Sequence, residues 1–155
     1  MKGSRRGFVA TSVGGGLALA TGTADAQSES SKVDRRKFGL TGAEVSIYGL
    51  GLGSAFFKPL GNKSDEAARM LERALELGIN YWDSAASYQN SEKLIGPVLE
   101  RNREEVFMVS KSGAKTYDDF MKEFESSLKN LRTDYIDLYH MHNWQPKKGD
   151  TSPQA

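Results

Sequence analysis

The chain has 155 residues, with 21 basic and 20 acidic side chains and a net charge of +1. That length allows one domain with a real core, and the balanced charge points neither to nucleic acid nor to an acidic surface as a partner. With 38% hydrophobic and 26% charged residues it reads as an ordinary soluble globular protein, and the lack of cysteine excludes disulfides, thiolate metal sites and a cysteine nucleophile.

Residues 1–26 have the organisation of an export signal. Lys2, Arg5 and Arg6 make a basic start, Phe8 to Thr23 is weakly apolar and glycine-rich, and Ala24-Asp25-Ala26 fits a small-x-small cleavage site. The apolar run falls short of the ~20 apolar residues that span a bilayer, so no stable membrane anchor is expected. Ser4-Arg5-Arg6-Gly7-Phe8-Val9 resembles the twin-arginine export motif, departing from it where Ala10 replaces the frequent lysine. The resemblance implies a periplasmic or otherwise exported protein that leaves the cytoplasm folded, with any nucleotide cofactor already bound. A solvated basic tail is the alternative. Residues 27–36 are polar and read as a linker, with Arg35-Arg36 as a solvated edge.

From Lys37 a short apolar piece, the turn signal Thr41-Gly42 and a second apolar run predict a hairpin leading into a first strand, with Val45, Ile47 and Leu50 as its apolar positions. Asn62 or Ser64 can cap a helix with Asp65 and Glu66 in its first turn. Ala67, Met70, Leu71, Ala74, Leu75 and Leu77 form its apolar stripe, and Gly78 is a left-handed terminator. Ile79 to Trp82 is the second strand. Asn90 or Ser91 caps a shorter helix carrying Leu94, Ile95, Val98 and Leu99, which Pro97 is expected to kink or break. Val106 to Val109 is the third strand. Thr116 with Asp119 resembles a capping box for a helix with Phe120, Phe124, Leu128 and Leu131 on one face, and Tyr135 to Met141 is the fourth strand. Strand starts about 30 residues apart fit right-handed β-α units. The fold class is α/β: the first half of an eight-stranded barrel, or a piece of an open sheet.

In such a fold the loops at the carboxyl ends of the strands share one face. Asp83 closes the second strand, Tyr88 follows in its loop, Lys111 closes the third and His142 the fourth. An acid, a phenol, an amine and an imidazole brought together make a proton-transfer site. Taken singly, each has a plainer reading: a turn aspartate capping the Ser84 and Ala85 amides, a surface tyrosine, a solvated lysine, a structural histidine. His140 lies two residues before His142 on the same strand face, but no third metal ligand accompanies the pair. Gly49-x-Gly51-x-Gly53 imitates a dinucleotide loop. It lacks the third glycine at the required spacing, is followed by AFFKPLG where a helix should begin at once, and has no acid ~20 residues on.

Over Lys37 to Asn143, the segments KFGLTGAEVSIYGLGLGS, GINYWDSAASYQNSEKLIGPVL, VFMVSK and ESSLKNLRTDYIDLYHMHN resemble the aldo-keto reductases. The spacing of Asp83 to Tyr88 and the pattern Asp137-Leu-Tyr-x-x-His142 carry the resemblance. It implies a TIM barrel, NADPH as cofactor and a small-molecule carbonyl substrate. It makes Tyr88 the general acid on the carbonyl oxygen, Lys111 the cation that eases loss of the phenol proton, Asp83 the partner of Lys111, and His142 the group that orients the substrate oxygen. A free phenol, with a pKa of about 10, is a poor acid at neutral pH, and a nearby cation favours its ionised form. Gly53, Ser54 and Ala55, with Asp83, match the loop that meets the nicotinamide end of the cofactor; a plain tight turn is the alternative. Trp82, Phe56, Phe57 and Trp144 are candidate walls of a substrate pocket.

The remaining cofactor contacts of the family come from later strands. Residues 144–155, WQPKKGDTSPQA, have no apolar period and predict no fifth unit. The expectation is a carbonyl reductase or alcohol oxidoreductase in truncated and inactive form. The alternative is a non-catalytic half-barrel module that self-associates through exposed sheet edges.

Overall fold

The structure, a computed structural model, describes residues 32–145. The expected export signal over residues 1–26 lies outside them.

Strands β1 (Arg35–Lys37) and β2 (Glu44–Ser46) form an antiparallel hairpin, with Arg36 opposite Val45. Its turn is made by glycines at positive φ, Gly39 at 54° and Gly42 at 79°, where a side chain would be strained. The Thr41 hydroxyl closes it by donating to the Phe38 carbonyl at 2.6 Å. The hairpin starts inside the segment expected to be a linker, and the Val33 N–H already donates to the Leu77 carbonyl at 2.8 Å. Arg35 and Arg36 are solvent-exposed, as read, but they belong to a strand.

A parallel sheet follows in chain order: β3 (Gly49–Gly51), β4 (Tyr81–Asp83), β5 (Phe107–Ser112) and β6 (Leu138–Met141). Helices α1 (Ser54–Leu60), α2 (Ser64–Glu76), α3 (Ser91–Arg101) and α4 (Tyr117–Leu131) connect and flank the strands. Side chains alternate along a strand, so the sheet has two distinct faces. Trp82 and Met108 pack with Leu71, Ile95, Leu99 and Leu131 of the helices in the main core. Tyr81, Phe107, Val109 and Leu138 lie on the other face, where Phe38 of the hairpin covers them. Phe38 meets Phe107 edge-on at 5.3 Å, and Tyr81 stacks on Phe107 at 5.5 Å.

Several local expectations are corrected. The stretch AFFKPLG is mostly helical, because burial of Phe56 and Phe57 holds α1 while Pro59 falls only in its last turn, beside the terminating Gly61. The α2 N-cap is Lys63, with no side-chain cap; Ser64 is already the first helical residue. Pro97 does not break α3, which runs unbroken through it. The carbonyl it leaves without a donor belongs to solvent-exposed Lys93, where water can serve it. The last strand begins at Leu138 rather than Tyr135, because Arg103 donates to the Tyr135 carbonyl and the Asp137 carboxylate and holds the chain before it off the ladder. The expected first strand is divided, with Val45 in β2, Leu50 in β3 and Ile47 exposed between them, and β4 and β5 lie one or more residues further along than expected. Two helix-end expectations hold. Gly78 adopts φ 86° after α2, and Thr116 accepts the Asp119 N–H at 3.2 Å as the α4 cap.

Candidate active site

The chemistry-bearing groups are set by strand register. Leu50 pairs with Trp82 and Gly51 with Asp83, which aligns the ends of β3 and β4. Asp83 aligns with Val109, and Lys111 with His140. Asp83 and Lys111 therefore project from the same face, at the carboxyl ends of neighbouring strands. Their side chains meet at 2.5 Å, and the Lys111 ammonium also donates to the Ser84 carbonyl at 2.7 Å. Lys111 is mostly shielded, at 16% side-chain exposure, so two acceptors fix its position and offset part of its desolvation. The plainer reading of Asp83 as a local turn cap does not hold: the Ser84 N–H bonds the Val109 carbonyl instead.

Tyr88 sits in the loop between β4 and α3. Its N–H donates to the Ala85 carbonyl at 3.0 Å, and the next residue, Gln89, turns the chain at φ 47°. The Asn90 side chain donates to the Gly61 carbonyl at the end of α1 rather than capping α3. Tyr88 thus has Phe57 of α1 on one side, ring centres 6.4 Å apart, and His142 on the other, edge-on at 5.6 Å. The Lys111 nitrogen lies 5.5 Å from the centre of the Tyr88 ring. His142 is the first residue past β6, held by its N–H to the Ser112 carbonyl at 2.7 Å, and its Nδ1 is 3.4 Å from the Ser87 hydroxyl. The four predicted residues are therefore neighbours. His140 pairs in register with Lys111 but is exposed, and among the described residues no cluster of three metal-ligand side chains forms around it.

A cleft of about 390 Å³ adjoins this group, lined by Gly51, Gly53, Ser54, Ala55, Phe57, Asp83 and Tyr88. It gathers the three residues expected to meet a nicotinamide together with the acid and the phenol. A Cβ on Gly53 would stand 3.4 Å from the Tyr88 ring, so this turn of the chain lies directly against the phenol. A larger groove of about 940 Å³ runs between α4 and β6 and includes Trp144, but of the four residues it touches only His142. The smaller cleft is the one that reaches Tyr88 and Asp83. Of the proposed pocket walls, Phe57 lines this cleft. Trp82 does not: it is fully buried, with its indole N–H on the Ile79 carbonyl at 3.1 Å. Phe56 is likewise a core residue.

A second phenol, Tyr81, lies two residues before Asp83 on the same face. Burial pushes its ionisation up, and the Asp83 carboxylate pushes it further. Stacked on Phe107 and tilted against Phe38, it belongs to the apolar packing on this face of the sheet. Sequence reading missed the groups behind the site. The Ser84 carbonyl holds Lys111, Ser87 reaches His142, and the buried Ser91 and Glu92 anchor the start of α3. The run Asn90-Ser91-Glu92 was visible beside Tyr88, but buried hydroxyls have no periodicity that betrays them.

With the geometry in hand, similarity to known proteins is direct. A model of the Aldo/keto reductase family matches residues 49–150. The chain is similar to an uncharacterized oxidoreductase of Bacillus subtilis, at 34% identity over 123 residues, covering 70% of this chain and 38% of the relative. It is similar to a methylglyoxal reductase of Escherichia coli O157:H7, at 38% identity over 82 residues, covering 51% of this chain and 30% of the relative. Among solved structures, it is similar to an aldo-keto reductase from Klebsiella pneumoniae in complex with NADPH. There the TM-score is 0.59 at 26% identity, covering 65% of this chain and 36% of that chain. The chain spans less than half the length of the relatives it matches.

Proposed function

The chain belongs to the aldo/keto reductase family, and on that premise we propose that its described residues carry the proton-transfer half of an NADPH-dependent carbonyl reductase site. The observation that supports this most is the joint placement of the paired Lys111 ammonium and His142 against the Tyr88 ring, at 5.5 and 5.6 Å from its centre. NADPH would supply the hydride. Gly53, Ser54 and Ala55 would hold its nicotinamide end in the cleft beside Tyr88 and Asp83, where the small side chains leave room for a flat ring.

The chain's own residues then do the acid–base work. The Tyr88 hydroxyl gives its proton to the carbonyl oxygen as carbon is reduced. Lys111 stabilises the negative charge left on the phenol oxygen. Asp83 and the Ser84 carbonyl hold that ammonium in place. His142 donates a hydrogen bond that orients the carbonyl oxygen toward Tyr88. Alcohol oxidation runs through the same groups in reverse. The described sheet has four strands, whereas a closed barrel of this type has about eight. Contacts that the family draws from later strands are not among these residues, and the isolated chain is proposed to turn over weakly or not at all. An exported, periplasmic location remains part of the proposal, supported by the motif in residues 1–26.

The test is loss of NADPH absorbance with methylglyoxal or another reactive aldehyde. It is run on the 155-residue chain and on a barrel completed by grafting residues 32–143 onto the later strands of a characterised relative. The completed barrel should turn over, and Tyr88→Phe should lower its kcat roughly 100- to 10,000-fold, the usual worth of a general acid. Full activity of the phenylalanine variant would end the assignment.

A further inference from the structure

Ser91 opens α3 and is fully buried. Its hydroxyl donates to the Leu52 carbonyl at 2.6 Å and lies 3.0 Å from the Ser84 hydroxyl. A serine has one O–H to give. With that proton committed to Leu52, the Ser84 hydroxyl must be the donor of the second bond. The backbone N–H of Ser91 donates to the Tyr88 carbonyl at 2.9 Å.

Each partner belongs to a different piece of the site. Leu52 precedes Gly53, and its N–H is bonded to the Asp83 carbonyl at 2.8 Å. Ser84 offers its carbonyl to the Lys111 ammonium. Tyr88 is the phenol itself. The next residue, Glu92, is also buried and accepts from the Ser110 hydroxyl at 2.7 Å and the Asn130 amide at 3.4 Å, which pins the same helical turn to β5 and α4. Between Tyr88 and this turn the chain passes through Gln89 at φ 47°, a conformation that persists only where the surroundings hold it.

The geometry points to Ser91 as a positioning residue that sets Tyr88 against Lys111 and His142. It touches no reacting atom and acts through the Leu52, Ser84 and Tyr88 segments. Its importance for turnover rests on the reductase reading above; the placement of Tyr88 does not, and is measured separately.

The chain has two histidines, so its imidazole proton spectrum is simple. The His142 ring sits edge-on to Tyr88 at 5.6 Å and feels its ring current, whereas exposed His140 is an internal reference. Spectra of His142→Gln and Tyr88→Leu assign the His142 signal and its value without the phenol. In Ser91→Ala that signal is expected to move toward the Tyr88→Leu position while His140 stays in place. Ser91→Thr, which keeps the hydroxyl, should restore it. Ser127→Ala removes another fully buried serine, one bonded to Tyr139 away from the site, and should lower the melting temperature without moving His142. If Ser91→Ala does not fold, Ser91→Cys keeps the volume, weakens the donor and is read in the same way. A His142 signal unchanged in the folded variant, or one that moves equally in Ser127→Ala, overturns the proposal. In an active completed barrel, kcat should fall in Ser91→Ala with KM little changed; absence of any activity would count against the reductase reading and leave the resonance result standing.

Discussion

At the scale of single residues, the ion pair of Lys111 and Asp83 separates function from stability. Asp83 keeps 33% side-chain exposure, so water can take over when the lysine is removed. Lys111→Met should cost about 1–2 kcal/mol of stability, between an exposed pair and a shielded charge left without its partner. In a completed barrel it should lower kcat as severely as loss of the phenol, because Lys111 is the ammonium that lies beside the Tyr88 ring among the described residues. Paired denaturant melts and aldehyde turnover check both halves. Tyr139 supplies a pH signature. Burial raises its phenol ionisation in the folded state, opposed by the Ser127 hydroxyl bond and reinforced by the Glu92 and Glu123 carboxylates. Below a pH of about 10 the phenol is protonated in both states and contributes no pH dependence. Above it the unfolded chain loses the proton first, so stability falls as pH rises toward the folded value. Tyr139→Phe lacks that loss, and melting temperatures of the two proteins should converge or cross as pH is raised past 10. The four site residues were legible because each closes or follows an apolar strand run. The Ser84 and Ser91 contacts were not, since they depend on which carbonyl a hydroxyl happens to face.

At the scale of elements, the sequence showed helices and strands through their apolar periods and misplaced them where side-chain contacts decide. Helix α1 was not expected over AFFKPLG, yet two buried phenylalanines hold it, and Pro59 falls only at its end. Helix α3 survives Pro97 by placing the unserved carbonyl toward water and by packing Gly96 so close to α4 that a Cβ would run into the Asn130 carbonyl. The start of β6 is set by Arg103. Its guanidinium donates to the Thr133 hydroxyl, the Val106 and Tyr135 carbonyls and the Asp137 carboxylate, and lies 3.5 Å from the centre of the Tyr135 ring. Asp137 in turn accepts the Met108 N–H at 2.7 Å, locking β5 to the chain entering β6. Side-chain exposures of 12% and 22% make this pair far better shielded than the surface pairs of α2. Arg103→Met should therefore cost about 1.5–3 kcal/mol, as expected for hydrogen bonds to a charged group left without its partner. Arg73→Met, at an exposed i,i+3 pair, should cost less than about 0.5 kcal/mol. Urea titrations of the two variants give the comparison, and equal losses would show that Arg103 acts as an ordinary surface cation.

At the scale of the whole molecule, the four-stranded sheet has β3 and β6 at its edges among the described residues. A strand edge is a row of unpaired donors and acceptors that recruits other strands unless charge or cover prevents it. Along β3 the residues are Gly-Leu-Gly, with no charge to repel a neighbour. Beside β6, Met141 at 57%, Trp144 at 46% and Tyr117 at 77% exposure line the large groove against α4. The hairpin packs on the Phe107 face and reaches Leu138 at the start of β6, but Met141 at the other end of that strand stays exposed. The physical expectation is association of this chain with itself that grows with concentration, driven by apolar burial in the groove and by strand pairing at the edge. Met141→Lys should weaken it, because a lysine on an edge strand must be desolvated for another strand to pair there. Sedimentation velocity over a concentration series is the measurement. The expected result is a weight-average mass that rises with concentration for the natural chain and stays near the monomer for Met141→Lys. A natural chain that remains monomeric throughout would end the expectation of self-association. Association unchanged by the lysine would move the contact from β6 to β3, where the two glycines offer a bare backbone and a lysine at the exposed Gly51, whose Cβ would meet nothing within 4 Å, would be the next substitution.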